Sequence, residues 1–266
     1  MNLLLVKQWA LITGASSGIG KAFAKRFAKD GWNVVLVARS VDKLNQLAGT
    51  LREKHSIQTL VIGADLAKPN ACREVHEKVN HANIQINALV NNAGFGAVGT
   101  FTEVDLYRQL EMVDVNVRAL LELTHLFLPK MVEKGEGWVI NVSSTASFQA
   151  MPYFATYAAT KAFVTFFSEA LWMECRKTGV KVINFCPGRT KTNFGVVAGK
   201  KSNVHDFRLS QTAEEVVDHA IRAMSRNKPT VITNPLDRTL LWLERFCSRK
   251  FLVWIVEKLS KQMGYQ

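Results

Sequence analysis

Short apolar runs alternate with longer segments of helical periodicity along most of this chain, and this alternation restricts the fold to a few architectures. Most of the runs are continuously apolar, which is typical of strands buried on both faces of a parallel sheet. The strand candidates are residues 10–13, 34–37, 60–62, 88–90, 138–142 and 180–185, with a seventh near 230–233. The helix candidates lie near 19–30, 42–54, 71–81, 105–134, 153–177 and 213–226.

Repeated βαβ units predict an α/β fold of the Rossmann type, with a doubly wound, seven-stranded parallel sheet and helices on both faces. In such a sheet a ligand binds beyond the carboxyl ends of the strands. The 266 residues contain no low-complexity run, charge block or linker rich in Pro, Gly and Ser. We therefore predict a single domain over residues 1–235, followed by a C-terminal amphipathic helical extension over residues 236–266.

The formal net charge of +12 raises the question of a nucleic-acid partner. Lys and Arg are spread along the predicted helices, however, and no basic segment is interleaved with aromatic residues. We therefore predict no nucleic-acid partner. An anionic cofactor, an acidic carrier or a membrane surface explains the charge at least as well.

The four cysteines, Cys72, Cys175, Cys186 and Cys247, are widely scattered, without CxxC spacing or a neighbouring His cluster. They predict reduced, mostly structural thiols and no metal site. The apolar start lacks the basic residues that open a signal peptide, and no apolar run approaches the roughly 20 residues of a membrane span. We expect a cytoplasmic protein, with peripheral membrane association as an open alternative.

The first predicted strand ends in the glycine-rich segment TGASSGIG, residues 13–20, and a predicted helix follows at once. Glycines allow a tight turn and a close approach of ligand to backbone, and the first N–H groups of a helix bind anions. A glycine-rich turn alone is weak evidence. Its position after the first strand of a βαβ chain predicts a pyrophosphate site.

Tyr157 and Lys161 form a pair that could deliver a proton to a carbonyl group. At a spacing of four residues on a helix their side chains share one face, so the ammonium can stabilise the phenolate and lower the pKa of the phenol. Ser144 lies thirteen residues before Tyr157, at the end of a predicted strand. Ser143 is the alternative hydroxyl, and the Tyr-Lys spacing alone also arises by chance on helix surfaces.

The spacing G-x-x-x-G-x-G and the motifs that follow it resemble the short-chain dehydrogenases/reductases. The motifs are Asp65-Leu66 after the third strand, Asn91-Asn92-Ala93-Gly94 after the fourth, Asn116, Ser144, Tyr157 with Lys161, and Pro187-Gly188. The resemblance covers about residues 8–235. It implies a dinucleotide-binding and catalytic domain that transfers a hydride between a nicotinamide cofactor and a substrate.

The resemblance implies a catalytic tetrad of Ser144, Tyr157, Lys161 and Asn116. Ser144 would hydrogen-bond the substrate oxygen while Tyr157 donates or removes its proton. Lys161 would bind the nicotinamide ribose and tune Tyr157. Asn116 would hold a water that links Lys161 to solvent, and an Asn inside an apolar helix is in any case unfavourable without partners.

The resemblance also implies cofactor contacts at the glycine turn, at the ends of later strands and after Pro187. These residues are Gly14, Ser16, Ser17, Gly18, Ile19, Gly20, Arg39, Ser40, Asp65, Leu66, Asn92, Ala93, Gly94, Tyr157, Lys161, Pro187, Gly188, Thr190 and Thr192. The second strand lacks the terminal carboxylate that would bind a ribose 2′-hydroxyl and repel a 2′-phosphate. Because Arg39 and Ser40 stand there and could hold a phosphate, NADP(H) is favoured over NAD(H). The alternative is that Arg39 is only a solvated charge.

Residues 193–211 are predicted to form a mobile lid over the substrate. Apolar residues in this lid and near the tetrad predict a pocket for a hydrophobic substrate; they are Phe95, Phe148, Met151, Tyr153, Phe154, Phe194, Val196 and Val197. Aromatic residues at such positions are also common in cores, and that alternative stays open.

In the C-terminal extension, Leu240, Leu243, Phe246 and Cys247 fall on one predicted helical stripe, and a second apolar group runs over residues 251–259. One interpretation is an interfacial amphipathic anchor that contacts a membrane through residues 236–263. The other is a helical pair packed on the domain or on a partner subunit. Similar tails occur in short-chain reductases related to microsomal 3-ketoacyl and hydroxysteroid reductases, which favours a lipophilic substrate.

Together these patterns predict an NADP(H)-dependent oxidoreductase acting on a ketone, aldehyde or alcohol group of a small hydrophobic substrate, such as a 3-oxoacyl thioester, steroid or retinoid. The resemblance implies a homodimer or homotetramer built from the helices near 105–134 and 153–177. The alternatives are a non-catalytic NADP-binding sensor or scaffold with the same fold, and a peripheral lipid-binding protein.

Overall fold

The computed structural model describes residues 7–199, 210–226 and 228–262, and a parallel sheet forms its centre. The strands are β1 Trp9–Thr13, β2 Asn33–Ala38, β3 Thr59–Gly63, β4 Ala88–Asn91, β5 Gly137–Val142, β6 Val180–Cys186 and β7 Thr230–Ile232. They lie in the order β3-β2-β1-β4-β5-β6-β7, and every pairing is parallel. The predicted seven-stranded, doubly wound sheet is confirmed.

Helices cover both faces of the sheet, because successive residues of a strand point to opposite sides. The helices are α1 Gly18–Lys29, α2 Val41–His55, α3 Ala71–His81, α4 Leu106–Val113, α5 Ala119–Lys134, α6 Ala155–Glu174, α7 Phe194–Val197, α8 Ala213–Ser225, α9 Pro235–Leu243 and α10 Arg249–Gln262. Helices α1, α2 and α8 pack on the face that contains Ile12 and Val90. Helices α3, α5 and α6 pack on the opposite face, with Leu11 and Val139.

The helix predicted near 105–134 is not regular throughout. A π-helical turn, Asp114–Arg118, joins α4 to α5, and the N–H of Ala119 bonds to the carbonyl of Asp114. Short π-helical turns add one residue to the helix and are frequent at functional sites. The inserted turn contains Asn116, whose side chain is buried.

The predicted apolar stripe from Leu240 to Cys247 is wrong as a single helix. Helix α9 ends at Leu243, a 3-10 turn follows, and Cys247 is extended with φ −103° and ψ 146°. The hydroxyl of Ser248 then accepts a bond from the N–H of Phe251 at 3.3 Å, which satisfies a first-turn donor of α10. The described part of the extension is therefore two helices, and the domain division at residue 235 stays a prediction.

No helix in the described part of the chain is long and apolar enough to cross a membrane.

Three asparagines lie side by side in the buried centre of the sheet. Asn91, Asn141 and Asn184 are in register on β4, β5 and β6. The amide nitrogen of Asn91 donates to Asn141 Oδ1 at 2.9 Å, and Asn141 Nδ2 donates to Ser168 Oγ on α6 at 3.0 Å. Asn91 also donates to Thr124 on α5 at 2.9 Å. These bonds attach α5 and α6 to the strands that lead into the site.

We expect Asn141→Ala to lower the free energy of unfolding by about 2–4 kcal/mol, because Asn91 Nδ2 and Ser168 Oγ each lose a buried partner. The same substitution at Asn45, which is exposed on α2, is the matched control and should change stability by less than about 0.5 kcal/mol. Denaturant unfolding measures both variants. Equal free energies of unfolding for the two variants would show that the buried hydrogen bonds of Asn141 do not stabilise the fold.

Candidate active site

The crevice lies where the strand order reverses, between the carboxyl ends of β1 and β4. Thr13 holds these two ends together: its hydroxyl donates to the carbonyl of Val90 at 3.2 Å and accepts from the N–H groups of Asn92 and Ala93, both at 2.9 Å. Asn92 Nδ2 donates back to the carbonyl of Thr13 at 2.8 Å. The segment after β4 is thereby fixed against the glycine turn.

The glycine turn is too crowded for side chains at two positions. A Cβ on Gly20 would overlap the carbonyl of Gly14 and the side-chain amide of Asn92, and Gly14 itself has a φ of +64°. Gly18, where α1 begins, has a φ of +51°. Its N-cap residue, Ser17, makes no side-chain capping bond, so the first N–H groups of α1 receive nothing from it.

A cleft of about 610 Å³ runs from this turn to α6, along the carboxyl edge of the sheet. All the predicted site residues line it except Gly20, which packs beneath the turn, and Asn116, which is buried behind the cleft. A volume of this size is in the range of cofactor and substrate clefts. The fold thus brings together residues that are spread over most of the sequence.

Tyr157 and Lys161 lie one helical turn apart on α6, and both are buried. Lys161 Nζ is 5.8 Å from the centroid of the Tyr157 ring and donates to the carbonyl of Val142 at 2.8 Å. The Tyr157 ring packs on Phe154 and Phe194, with centroid distances of 4.4 and 5.3 Å. The phenol of Tyr157 is therefore surrounded by aromatic rings and lies beside the buried amine of Lys161.

Burial lowers the pKa of Lys161 to about 8. Within the described residues Lys161 forms no salt bridge with a carboxylate. Because its pKa is lowered from 10.5, the ammonium is the main form only below about pH 8. An anion placed beside it would favour the charged form.

The two neighbouring serines have different environments. The Ser143 hydroxyl is buried, donates to the carbonyl of Lys161 at 2.9 Å and contacts Thr165 Oγ1 at the same distance. Both serines line the cleft, but Ser144 is less buried, and its Oγ accepts only from the N–H of Ala146 at 3.1 Å among the bonds described. The preference for Ser144 over Ser143 as the substrate-facing hydroxyl is consistent with this placement.

Asn116 uses its side chain to connect two parts of the site. Its Nδ2 donates to the carbonyl of Phe95 and to Thr160 Oγ1, both at 3.0 Å, and its Oδ1 accepts from the N–H of Phe95 at 3.1 Å. A Cβ on Gly94 would lie 2.9 Å from Asn116 Oδ1 and 3.3 Å from Lys161 Nζ. The expected partners of this helical Asn are present, and the role in a water relay stays a prediction.

At the other end of the cleft, Arg39 and Ser40 follow β2. Arg39 is 62% exposed and lies 3.6 Å from Glu111, which also pairs with Arg108 at 2.9 Å. Ser40 precedes α2 without making a side-chain capping bond. Arg39 is thus neither buried nor tightly held, and Glu111 competes for it.

Arg118 is a structural residue of the site that the sequence patterns did not identify. It lies in the same π-helical turn as Asn116, and its Nη2 donates to the carbonyls of Leu66, Ala67 and Lys68 at 3.0–3.4 Å. Asp114 holds its Nε at 2.7 Å. Asp65 Oδ1 accepts a further bond from the N–H of Ala67 at 3.2 Å. The sequence contains only one signal for this residue, the i, i+4 spacing of Asp114 and Arg118.

The segment after β6 folds back over the cleft. Thr190 pairs with Gln211 as an isolated bridge, and Thr192 lies next to Gly18, where an added Cβ would be 3.2 Å from Thr192 Cγ2. Helix α7 begins at Phe194, and the carbonyl of Ala198 accepts from Val98 at 2.9 Å. Residues 200–209 of the predicted lid lie outside the described residues.

Most of the predicted apolar pocket is present. Phe95, Met151, Phe154, Phe194, Val196 and Val197 line the cleft, whereas Phe148 and Tyr153 do not. Phe148 is partly exposed, and Tyr153 lines a separate cavity. The C-terminal helices add Leu240, Leu241, Val256 and Leu259 to the cleft wall, four residues that the sequence patterns had not assigned to the substrate pocket.

Helix α9 also touches the loop after β6. A Cβ on Gly188 would overlap the carboxylate of Asp237, which is in the first turn of α9. Burial raises the pKa of Asp237, and the nearby charge of Arg189 partly opposes this. Within the described residues, no group of three His, Cys, Asp or Glu side chains could hold a metal ion.

A family model described as short chain dehydrogenase matches residues 8–203. The very-long-chain 3-oxoacyl-CoA reductase of Mus musculus is 34% identical over 222 residues, which cover 82% of this chain and 68% of that protein. The hydroxysteroid dehydrogenase-like protein 1 of Gallus gallus is 34% identical over 227 residues, which cover 84% of this chain and 67% of that protein. The chain spans about two thirds of the length of these two relatives.

Among solved structures, a short-chain dehydrogenase from Sphingobium yanoikuyae in complex with NADPH is similar, with a TM-score of 0.82 and 32% identity. The match covers 92% of this chain and 94% of that one.

We expect Gly20→Ala to weaken binding of a nicotinamide dinucleotide by at least about tenfold, because the new Cβ displaces the turn that the ligand must approach. Gly49→Ala is the matched control: Gly49 lies within α2, and a Cβ there meets nothing within 4 Å. It should leave binding unchanged and stabilise the fold by about 0.5–1 kcal/mol. Titration of protein fluorescence with NADPH, together with denaturant unfolding, measures both effects. Unchanged affinity in Gly20→Ala would refute the close-approach argument.

Proposed function

The chain belongs to the short-chain dehydrogenase family, and from this premise we propose that it is an NADP(H)-dependent oxidoreductase that interconverts a carbonyl and an alcohol on a hydrophobic substrate. One observation carries the proposal: Ser144, Tyr157 and Lys161 line the same cleft as the glycine turn. The acid Tyr157, the amine of Lys161 and the glycine turn that would bind the dinucleotide therefore lie in one cleft with an apolar wall.

The residues at the turn fit a dinucleotide. The positions where a Cβ would overlap the backbone allow close approach, and the first turn of α1 offers N–H groups to a pyrophosphate. Lys161, Thr190 and Thr192 would hold the nicotinamide end, and Arg39 with Ser40 the adenosine end. When bound, the cofactor supplies or accepts the hydride.

The protein's own residues would then transfer the proton to the substrate oxygen. Ser144 Oγ hydrogen-bonds the substrate oxygen and holds it beside the Tyr157 hydroxyl, which donates its proton as negative charge develops on that oxygen. The Lys161 ammonium stabilises the resulting phenolate through space and favours the charged form of its partner. Phe154 and Phe194 exclude water from the ring, so the electrostatic attraction is stronger than in solvent.

Asn116 and Asn92 act as positioning residues in this proposal. Asn116 fixes the chain at Phe95 against α6 through Thr160, and Asn92 fixes the turn at Thr13. A water held at Asn116 would link Lys161 to solvent, so that a proton can return to Tyr157 after it has been donated, and this link completes the proposed tetrad.

The apolar residues that line the cleft support a hydrophobic substrate. Six predicted apolar residues and four from α9 and α10 surround the tyrosine end of the cleft. The two similar proteins from mouse and chicken carry names that refer to 3-oxoacyl-CoA and hydroxysteroid chemistry. We infer that the substrate is a 3-oxoacyl thioester, steroid or retinoid, with its carbonyl between Ser144 and Tyr157.

The outer surface of the C-terminal helices supports contact with a further partner. Trp242, Phe246, Phe251 and Trp254 are about half exposed or more, and Lys258 lies over the Trp254 ring at 3.7 Å. Aromatic residues beside cations suit the surface of a membrane. An apolar face of this kind also suits a second subunit, so peripheral membrane contact and homo-oligomer formation both remain part of the proposal.

We expect Tyr157→Phe to reduce kcat by at least about 100-fold, because the proton donor is removed. The affinity for NADPH should stay within about twofold, since the ring and its packing are kept. Tyr107→Phe is the control, because Tyr107 is 81% exposed on α4. NADPH oxidation with a panel of apolar ketones and thioesters tests both. If the parent protein binds NADPH tightly but oxidises it with no carbonyl, the function is that of a sensor or scaffold.

Arg39→Ala should raise the KM for NADPH by about tenfold and leave that for NADH nearly unchanged, since a charged hydrogen bond to the 2′-phosphate is lost. Glu111→Gln should act in the opposite direction, because it frees Arg39 from its competing carboxylate. Parallel kinetics with the two cofactors provide the measurement. Equal changes for NADPH and NADH would mean that Arg39 is only a solvated charge.

A further inference from the structure

A second cavity of about 540 Å³ lies beside the cleft and shares no lining residue with it. Its lining comes from the segment 97–104, from α4, from the chain entering α6 and from α10. The larger apolar side chains that line it are Phe101, Val104, Met112, Pro152, Val253 and Trp254. Because a cavity of roughly 150 Å³ is enough to hold benzene, this one has room for a hydrocarbon chain of about 12 carbons or more.

The buried amide in this lining is already satisfied within the protein. Gln109 Nε2 donates to the carbonyls of Phe101 and Val104 at 3.1 and 3.0 Å. Its Oε1 accepts from the Thr156 hydroxyl at 2.6 Å. Neither Gln109 nor Thr156 therefore needs a ligand to complete its hydrogen bonds.

The other polar side chains of the lining are also paired, with one exception. The Thr100 hydroxyl donates to Glu103 at 2.6 Å, and the Tyr153 hydroxyl donates to Glu257 at 3.4 Å. Lys261 pairs with Glu257 at 2.8 Å, so this carboxylate already has a cation beside it. The exception is Lys250.

Lys250 lines the cavity and is exposed on the first turn of α10. In the part of the chain that the structure describes, no carboxylate lies within ion-pairing distance of its ammonium. The first turn of α10 contains no acidic residue. An unpaired cation at the rim of an apolar cavity is complementary to an anionic head group.

These two properties define the class of ligand. Burial of apolar surface would supply most of the affinity, at about fourfold for each methylene group. A sugar, nucleotide or peptide would leave its polar groups unpaired in this cavity. A long-chain carboxylate satisfies both requirements, because its chain is apolar and its single charge is opposite to that of Lys250.

A ligand in this cavity is distinct from the molecule that reacts at Tyr157. Tyr153 lines the second cavity, whereas its neighbour Phe154 lines the cleft. On α10, Val253 lines the second cavity and Val256 lines the cleft. The same segments thus bound two spaces without joining them.

We propose that the second cavity is a binding site for a long-chain carboxylate that is separate from the substrate. The hydrocarbon chain fills the cavity, and the carboxylate pairs with Lys250 at its rim. This site goes beyond the proposed function, because it requires neither the cofactor nor carbonyl reduction. Its ligand binds the folded chain and therefore stabilises it.

The hydrocarbon part is tested by filling the cavity from two sides. Dodecanoate, kept below its micelle-forming concentration, should bind the parent protein in calorimetric titration and raise its melting temperature, and hexanoate should bind at least about 100-fold more weakly. Val253→Trp on α10 and Val104→Trp on the segment 97–104 should each weaken dodecanoate binding by at least about tenfold. Val132→Trp is the matched control, because Val132 on α5 is 37% exposed against 38% for Val253 and lines neither cavity.

The head group is tested by removing the charge at the rim. Lys250→Gln should weaken binding of dodecanoate by about fivefold and leave that of the neutral alcohol dodecanol within about twofold. Lys54→Gln on α2 removes an exposed charge that lines neither cavity and should change neither affinity. Equal effects of Lys250→Gln on the acid and the alcohol would overturn the assignment of the head group.

Binding elsewhere on the protein gives a different pattern. Val196→Trp places the same bulk in the cleft, and dodecanoate affinity should not change. If Val196→Trp weakens binding while Val253→Trp and Val104→Trp do not, the chain lies in the cleft and the proposal fails. It also fails if the parent protein binds no dodecanoate and Val253→Trp instead alters its elution in size-exclusion chromatography, which would assign this surface to a contact between copies of the chain. Melting temperatures without ligand identify any variant that is damaged generally.

Discussion

The Thr13 hydroxyl holds the arrangement on which the rest of the site depends. Strands β1 and β4 are neighbours whose connections leave in opposite directions, so their carboxyl ends would otherwise open into an unsupported gap. One hydroxyl satisfies the carbonyl of Val90 and two consecutive N–H groups across this gap. The glycine turn can then press against Asn92 without side chains, and the crevice keeps its shape before any ligand arrives.

Hydrogen bonds between buried polar groups fix the positions of the helices relative to the sheet. In the asparagine row on β4, β5 and β6, Asn91 and Asn141 donate to hydroxyls of α5 and α6, and the Ser143 hydroxyl donates to the carbonyl of Lys161. A buried polar group stabilises only the arrangement in which its partners are present, because an unpaired one costs about 1–3 kcal/mol. These bonds therefore select one position of α6, and with it the positions of Tyr157 and Lys161.

The sequence was sufficient for the sheet and for the strand-end motifs that line the cleft, because both follow from short-range patterns. Continuous apolar runs mark buried strands, and motifs at strand ends must meet along one edge of a parallel sheet. The π-helical turn at Asn116 could not be read in this way. Its extra residue is stabilised by bonds to Phe95, Thr160 and the loop at Leu66, which are distant in sequence. The break at Cys247 was missed for a similar reason, since apolar periodicity continued across a capping serine.

Helix α10 bounds two cavities with residues that are less than one turn apart, and this has a consequence for how such a protein can diversify. Its side chains shape the space around a substrate, but the hydroxyls, amides and amine lie elsewhere, at strand ends, in the π-helical turn and on α6. Substitutions on this one helix can therefore change which molecules fit while the reacting groups keep their geometry. Residues that determine substrate selectivity and residues that carry out the reaction thus lie on separate parts of the chain. Substitutions in the first group can accumulate without changing the second.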